Sequence, residues 1–278
     1  MVQIKRITQM SHPGIRPLNE DRVLVNEKKK VFGVFDGASS LNSYLSADSK
    51  TGAYVAAHIA GDTFAESNYD LKKTVLLAND NIEAAHRKAG IDTTSNANRF
   101  STTAAVVRIK EKQVEILQIG DSIAIVIYRD GRVDVPLGYH DHDIDLMRSW
   151  RRLADQGVTD IRGHVAEGII KLRESANHTY GLLNGDKSVK KFIAVKDIDV
   201  RDVATIIILS DGMYIPKADP DADEEWNQYA QLYKEGGLEK IYTTVREMEK
   251  SDPDLTRYPR YKLHDDASAV AIELAPSV

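Results

Sequence analysis

Four acidic clusters sit where strand-like apolar runs stop or start, and this placement constrains the fold more than any other feature of the chain. Asn19-Glu20-Asp21 precedes the short run Arg22 to Asn26, and Asp36-Gly37 follows Val31-Phe32-Gly33-Val34-Phe35. Asp211-Gly212 follows Ile206-Ile207-Ile208-Leu209-Ser210, and Asp265-Asp266 opens onto Ala267-Ser268-Ala269-Val270. Short, nearly continuous apolar runs read as buried strands. Carboxylates at the ends of such strands are held by a rigid scaffold, and their heads can converge on one cleft. Crowded acids repel one another unless cations sit among them. Oxygen donors of this kind suit Mg2+ or Mn2+. The expectation is a hard-metal site carried by a β-rich scaffold.

The rest of the chain fits that scaffold. Gln3 to Gln9 alternates apolar and polar residues, as a half-buried strand does. Ser101 to Ile109, Gln113 to Ile119 and Ser122 to Tyr128 are three β-type runs joined by short connections, and Asp130-Gly131 marks a further hairpin turn. Hairpins predict antiparallel sheets rather than alternating βαβ units. Asp48 to Phe64 predicts a helix with a small-residue face at Ala53, Ala56, Ala57 and Ala60, and Leu71 to Ala89 predicts a second. From Tyr139 to Asn184 the pattern weakens to a His/Asp-rich loop, a helix over Ile144 to Gln156, and Gly-punctuated polar sequence. This stretch reads as an insertion over the main body. Phe192 to Val195 and Val203 to Leu209 restore strands, Glu224 to Glu249 holds two helices split by Gly236-Gly237, and Ala267 to Leu274 is a closing strand. No repeat or linker divides residues 1–278, so one α+β domain is expected.

The formal net charge of −5 argues against a nucleic-acid surface, which is normally basic. The chain has no cysteine, which excludes disulfides and thiolate chemistry. Its N-terminus has no signal-like apolar core, and no apolar stretch approaches the roughly 18–20 residues of a bilayer span. A cytoplasmic protein without membrane partners is the expectation.

Taken in order, the motifs resemble the metal-dependent protein phosphatases of the 2C type. The pieces are Arg16-Pro17-Leu18-Asn19-Glu20-Asp21, Val34-Phe35-Asp36-Gly37, Ser101-Thr102-Thr103-Ala104, Ile119-Gly120-Asp121-Ser122, Leu209-Ser210-Asp211-Gly212 and Asp265-Asp266-Ala267-Ser268. The resemblance runs from about Gln9 to Leu274. It implies a four-layer α-β-β-α sandwich of two antiparallel sheets with helices outside and a dinuclear metal site at one end. It further implies that Asp36 bridges two Mn2+ or Mg2+ ions and that the Gly37 carbonyl helps hold the second. Asp211 and Asp265 would complete the first, Glu20 would serve the second directly or through water, and Asp21 would order metal-bound water. Asp121 matches a position for a third, looser metal, with its partner open among Asp141, Asp143, Asp145 and Asp155. Arg16 matches the family's phosphate-binding arginine, whose planar fork suits two phosphate oxygens. The activity implied is hydrolysis of phosphoserine or phosphothreonine in proteins by a metal-bridging water, opposing a protein kinase.

Family members commonly carry His after the central Asp-Gly as a proton donor; this chain has Ala38, followed by Ser39 and Ser40, which offer hydroxyls to substrate instead. Loss of that donor favours one alternative, a catalytically weak regulatory module that binds phosphoproteins; another is a phosphatase for a small phosphate ester, which the 139–184 insertion would decide by shaping the substrate entrance. His140-Asp141-His142-Asp143 lacks a third anchor at helical spacing and reads as a solvated loop.

Overall fold

A computed structural model describes residues 3–38, 40, 41 and 43–276. In chain order the first half contains β1 (Ile4–His12), β2 (Arg22–Asn26), β3 (Val31–Phe35), β4 (Gly37–Ala38), α1 (Gly52–Glu66), α2 (Leu71–Ala89), β5 (Ser101–Thr102), β6 (Ala104–Ile109), β7 (Gln113–Ile119) and β8 (Ile123–Tyr128). The second half contains β9 (Val133–Asp134), α3 (Ile144–Asp155), α4 (Ile161–Glu174), β10 (Ala194–Asp199), β11 (Val203–Leu209), α5 (Trp226–Lys250) and β12 (Ala267–Leu274). One five-stranded antiparallel sheet runs β1-β12-β11-β8-β9, and a second runs β10-β7-β6-β3-β2.

Side-chain alternation explains the layering. In β3, Phe32 and Val34 face the other sheet, whereas Val31 and Phe35 face α1 and α2. In β11, Ile206 and Ile208 point into the same inter-sheet layer, and Ile207 and Leu209 point at α5. Strands buried on both faces need apolar residues at every position, which is why these runs show no polar alternation. Each fully buried Ile or Phe of the inter-sheet layer stabilises the fold by roughly 1.5–3 kcal/mol. The order is therefore helix pair, sheet, sheet, helix, as the resemblance implied.

Helix ends follow local chemistry. The Thr51 side chain accepts from Tyr54 N–H, so α1 begins at Gly52, four residues later than the Ala-rich stretch suggested. Asp70 caps α2, and Gly90 ends it at φ 67°. In α5 the expected break falls at Gly236 and Gly237, the latter at φ 69°.

Two sequence expectations need correction. Residues 161–174 form α4 rather than irregular polar sequence; Asp160 caps it by accepting from Gly163 N–H, and Ile161 and Val165 pack with Trp150 of α3. The strand expected at Phe192 to Val195 lies at Ala194–Asp199, because its register follows β7 as far as Asp199↔Gln113. It is an edge strand, which tolerates Lys196 and Asp197.

Register aligns the strand ends. Arg22 pairs with Phe35, Val34 with Ala105, and Ala104 with Ile119, so residues 21, 36 and 121 leave one sheet at the same end. Leu209 pairs with both Ile123 and Ala269, which brings residues 121, 211 and 265 to the corresponding end of the other sheet.

Candidate metal and phosphate site

Close backbone packing fixes the acid-bearing turns. Thr103 N–H and the Thr102 hydroxyl both donate to the Asp36 carbonyl, at 2.9 and 2.7 Å. A Cβ on Gly37 would lie 2.7 Å from the Glu20 carbonyl oxygen and 2.8 Å from that of Ala53, so only glycine fits. A Cβ on Gly212 would meet the Asp266 carbonyl oxygen at 1.9 Å, which is likewise excluded.

The result is a cleft of about 290 Å3 whose lining includes Arg16, Asp36, Asp121, Asp211, Lys262 and Asp265. A smaller cavity of about 190 Å3 adjoins it, sharing Asp121, Asp143, Asp211, Tyr261, Lys262 and Asp265 and walled by Tyr139 and Tyr214. Asp21 lies buried beside the cluster, accepting from the Ser210 hydroxyl at 2.9 Å through Oδ2. Burial and the neighbouring Asp266 and Asp265 push its carboxyl up to about 7, although the Ser268 and Ser210 hydroxyls oppose the shift. Burial pushes Asp36 well above the ordinary carboxylate range, and the charges of Asp211, Asp21, Asp265 and Asp121 add to this. Asp211 is raised for the same reasons, with burial first and Asp265 and Asp121 next.

Divalent cations fit this donor set. All its donors are hard oxygens, and among the described residues Oδ1 of Asp21 and Oδ1 of Asp211 are buried without a hydrogen-bond partner. Among the described residues no three carboxylate or imidazole groups close a cage by themselves. Such openness suits Mg2+-type ions that keep several waters.

Not every expected group faces the cleft. Glu20 is buried, and its Oε1 accepts from the Thr51 hydroxyl at 2.5 Å; it lines neither cavity. Ser40 lines the larger cleft, whereas Ser39 lies outside the described residues. Asp145 pairs with Arg148 and Asp155 with Arg151, both away from the cluster. Asp143 lines both cavities, and burial first, then Asp121 and Asp141, push its carboxyl up to about 6 against the pull of His142.

The His140 to Asp143 segment is only partly a solvated loop: His140 is exposed, whereas His142 and Asp143 turn into the larger cleft. His142 stacks on Tyr180 with ring centroids 4.2 Å apart, and its Nε2 lies 3.8 Å from Asp121 Oδ2. Sequence reasoning also missed three groups. Asp266 accepts from Gly14 N–H and Glu20 N–H, both at 2.7 Å, and so ties the Arg16 segment to the start of β12. Arg173 of α4 lines the larger cleft. The Lys262 ammonium lies 2.6 Å from Asp265 Oδ1. Burial disfavours its charge, but Asp265, Asp211 and Asp36 outweigh that and hold its pKa above the usual lysine value. Helical spacing of Ile161, Val165, Ile169 and Leu172 was the available signal for α4. No comparable local signal marked Lys262 or Asp266.

Comparison with known proteins agrees with this architecture. The family model described as protein phosphatase 2C matches residues 9–250. No protein of curated function matches the chain. Among solved structures, the serine/threonine phosphatase PstP/Ppp of Mycobacterium tuberculosis is 17% identical, with a TM-score of 0.57 over 96% of this chain and 97% of that one. Its catalytic domain is also known in complex with two manganese ions, at 17% identity and a TM-score of 0.57, covering 97% and 98% of the two chains. The serine/threonine phosphatase Stp1 of Staphylococcus aureus is 15% identical, with a TM-score of 0.59 over 98% of this chain and 96% of that one. With its sandwich, its strand-end acids and the match over residues 9–250, this chain belongs to the protein phosphatase 2C family.

Proposed function

We propose that the chain is a Mn2+- or Mg2+-dependent serine/threonine protein phosphatase acting on phosphoproteins, in the cytoplasm and opposite a protein kinase. The observation that carries this reading is the convergence of Asp36, Asp211 and Asp265 on one cleft with Arg16. In this reading Asp36 would be shared by the two cations, Asp211 and Asp265 would complete the first, and the Gly37 carbonyl would contribute to the second. Glu20 acts through water, because its Oε1 is engaged by Thr51. Asp21 stands behind the first position, and Asp121 with Asp143 forms a looser third. Residues 139–184 act as a flap over the entrance to a single catalytic domain. When bound, the cations would supply a water of lowered pKa and offset charge on the phosphoryl oxygens.

The chain's own residues do the rest. Arg16 is exposed and makes no hydrogen bond or ion pair among the described residues, so its guanidinium is free to fork onto two phosphoryl oxygens. Ser40 contributes a hydroxyl to the same wall, and Ser39 keeps the substrate-binding role proposed from its motif. Ala38 carries no proton, so protonation of the leaving alcohol falls to water or to His142, the imidazole lining the same cleft. Among the described residues no helix is long and apolar enough to cross a membrane.

Ala38 also favours the second reading, a weakly catalytic phosphoprotein-binding module. Hydrolysis of p-nitrophenyl phosphate and of a phosphothreonine peptide, with Mn2+ or with EDTA, separates the two. The phosphatase reading expects Mn2+-dependent turnover of both substrates, lost in Asp36→Ala and Asp211→Ala. Turnover in EDTA, or unchanged in those variants, would falsify it; tight Mn2+ binding without turnover selects the binding module.

A further inference from the structure

Lys262 stands in an unusual place for a lysine. It lines both cavities and faces Asp265, Asp211 and Asp36 together. Its Nζ and the Asp266 N–H both lie on Oδ1 of Asp265, at 2.6 and 2.9 Å, and among the described residues Oδ2 accepts no hydrogen bond. This is not a dangling surface side chain, because the segment that delivers it is tied down without regular secondary structure. The Asp252 carboxylate accepts from Thr256, Arg257 and Tyr258 N–H at 3.0, 3.0 and 2.9 Å, and from Arg260 at 2.8 Å. Arg260 also donates to the carbonyls of Glu249, Asp252, Tyr258 and Leu263. Behind Asp265, Arg246 donates to its carbonyl at 2.6 Å and pairs with Glu249, which in turn meets His264. Both flanks of Lys262 are therefore fixed, and its head is pre-positioned on the acid cluster.

We propose that Lys262 is a built-in counter-cation of the cluster: it shares Asp265 with the divalent cation and weakens the affinity of the Asp211–Asp265 position for that ion. Asp265 would hold a divalent ion only with the Lys262 ammonium a few ångströms away, or by giving up that ammonium from Oδ1. Either route costs metal affinity, because a fixed like charge at close range in a partly buried site is poorly screened. The same ammonium offsets the repulsion of Asp36, Asp211 and Asp265, so the cluster depends less on metal for its integrity. Lys262 is thus a positioning residue that sets a metal threshold, leaving one cation of the pair exchangeable. The inference rests on the two-metal reading above.

Calorimetric titration of Mn2+ into EDTA-stripped protein tests it, using wild type, Lys262→Met, Lys262→Arg and Asp211→Asn, with melting temperatures measured in EDTA and in Mn2+. The expected result is about tenfold or more tighter Mn2+ binding at one site in Lys262→Met, with Lys262→Arg within about threefold of wild type. Lys262→Met should also melt lower in EDTA and gain more from Mn2+. If Lys262→Met does not fold, Lys262→Gln is held to the same thresholds. Equal or weaker Mn2+ binding in the neutral variant, with Asp211→Asn still abolishing a site, overturns the role of Lys262 and leaves the two-metal reading standing. Binding that is indifferent to Asp211→Asn, or no binding in any variant, removes both.

Discussion

The cleft has two banks built on different principles. On one, Asp21, Asp36, Asp211 and Asp265 project from strand ends whose ladders are locked by fully buried Val, Ile and Phe residues. On the other, His142 and Asp143 come from the loop before α3, and Arg162 and Arg173 from α4, a region with two small apolar clusters, around Trp150, Ile161 and Val165 and around Ala176, Tyr180 and Leu182. The first bank holds like charges together against their own repulsion. The second holds mixed charges, half-buried, on a lightly packed element. A scaffold that must force carboxylates together needs a stiff core; a surface that selects among substrates does not. The banks should therefore fail differently when perturbed.

The largest effect belongs to the strand-end bank. Asp36→Asn or Asp211→Asn should lower kcat/KM by about 10³-fold or more, about 4 kcal/mol, with the far-UV circular dichroism unchanged. In EDTA the same variants should melt above wild type, because each removes a charge from a repelling set. A lower melting temperature in EDTA would mean that the acids are stabilising rather than strained.

Next comes the packing behind that bank. His86 is fully buried and its Nε2 accepts from Phe100 N–H at 2.7 Å, just ahead of β5, which pairs with the Gly37–Ala38 strand. Burial first, then Arg99, lower its pKa to about 4 from an ordinary 6.5. A depressed histidine stabilises the fold fully above pH 6.5, and that stability is lost as pH falls toward 4, by about 3 kcal/mol. Asp21 has the opposite sign: its raised carboxyl destabilises the metal-free fold above about pH 7, and protonation relieves this as pH falls. Urea midpoints between pH 7 and 4 in EDTA, for wild type against His86→Gln, isolate the histidine. An identical slope in the two proteins removes this assignment.

Arg16→Ala should cost about 10²-fold in kcat/KM, about 2.7 kcal/mol, with little change in melting temperature, because the side chain is exposed and unpartnered. Arg16→Lys should recover only part, since an ammonium is a point charge and not a fork.

The difference between the banks also explains what could be read without a structure. A strand buried on both faces leaves a local signature, and an Asp-Gly at its end is adjacent in sequence, so Asp36 and Asp211 were legible one by one. Their convergence followed from register, as did the sandwich. The second bank left no such trace. Gly163 and Gly168 weaken the helical signal of α4 although its apolar spacing is helical, and the approach of His142 to Asp121, with its stack on Tyr180, joins residues far apart in sequence. Lys262 and Asp266 were visible as residues, but their partners are set by loop geometry and by contacts such as Asp266 to Gly14, across 252 positions. Glu20 shows the converse: its motif was clear, yet its carboxylate meets the cap of α1, a neighbour that no local pattern announces.

Arg173 offers the smallest and most diagnostic effect. Its guanidinium lines the larger cleft, makes no hydrogen bond or ion pair among the described residues, and has its pKa lowered by burial and by the like charge of Arg162. A partly desolvated, unpartnered cation costs stability in the free protein and gains a partner when an anionic chain enters. Arg173→Met should therefore raise the melting temperature slightly and raise KM for a phosphothreonine peptide about fivefold, about 1 kcal/mol. Turnover of p-nitrophenyl phosphate should fall by no more than about twofold, because that substrate is too small to span both banks. If Arg173→Met instead impairs both substrates as severely as Arg16→Ala, the insertion grips the phosphoryl group itself, and the division between a chemical bank and a selecting bank collapses.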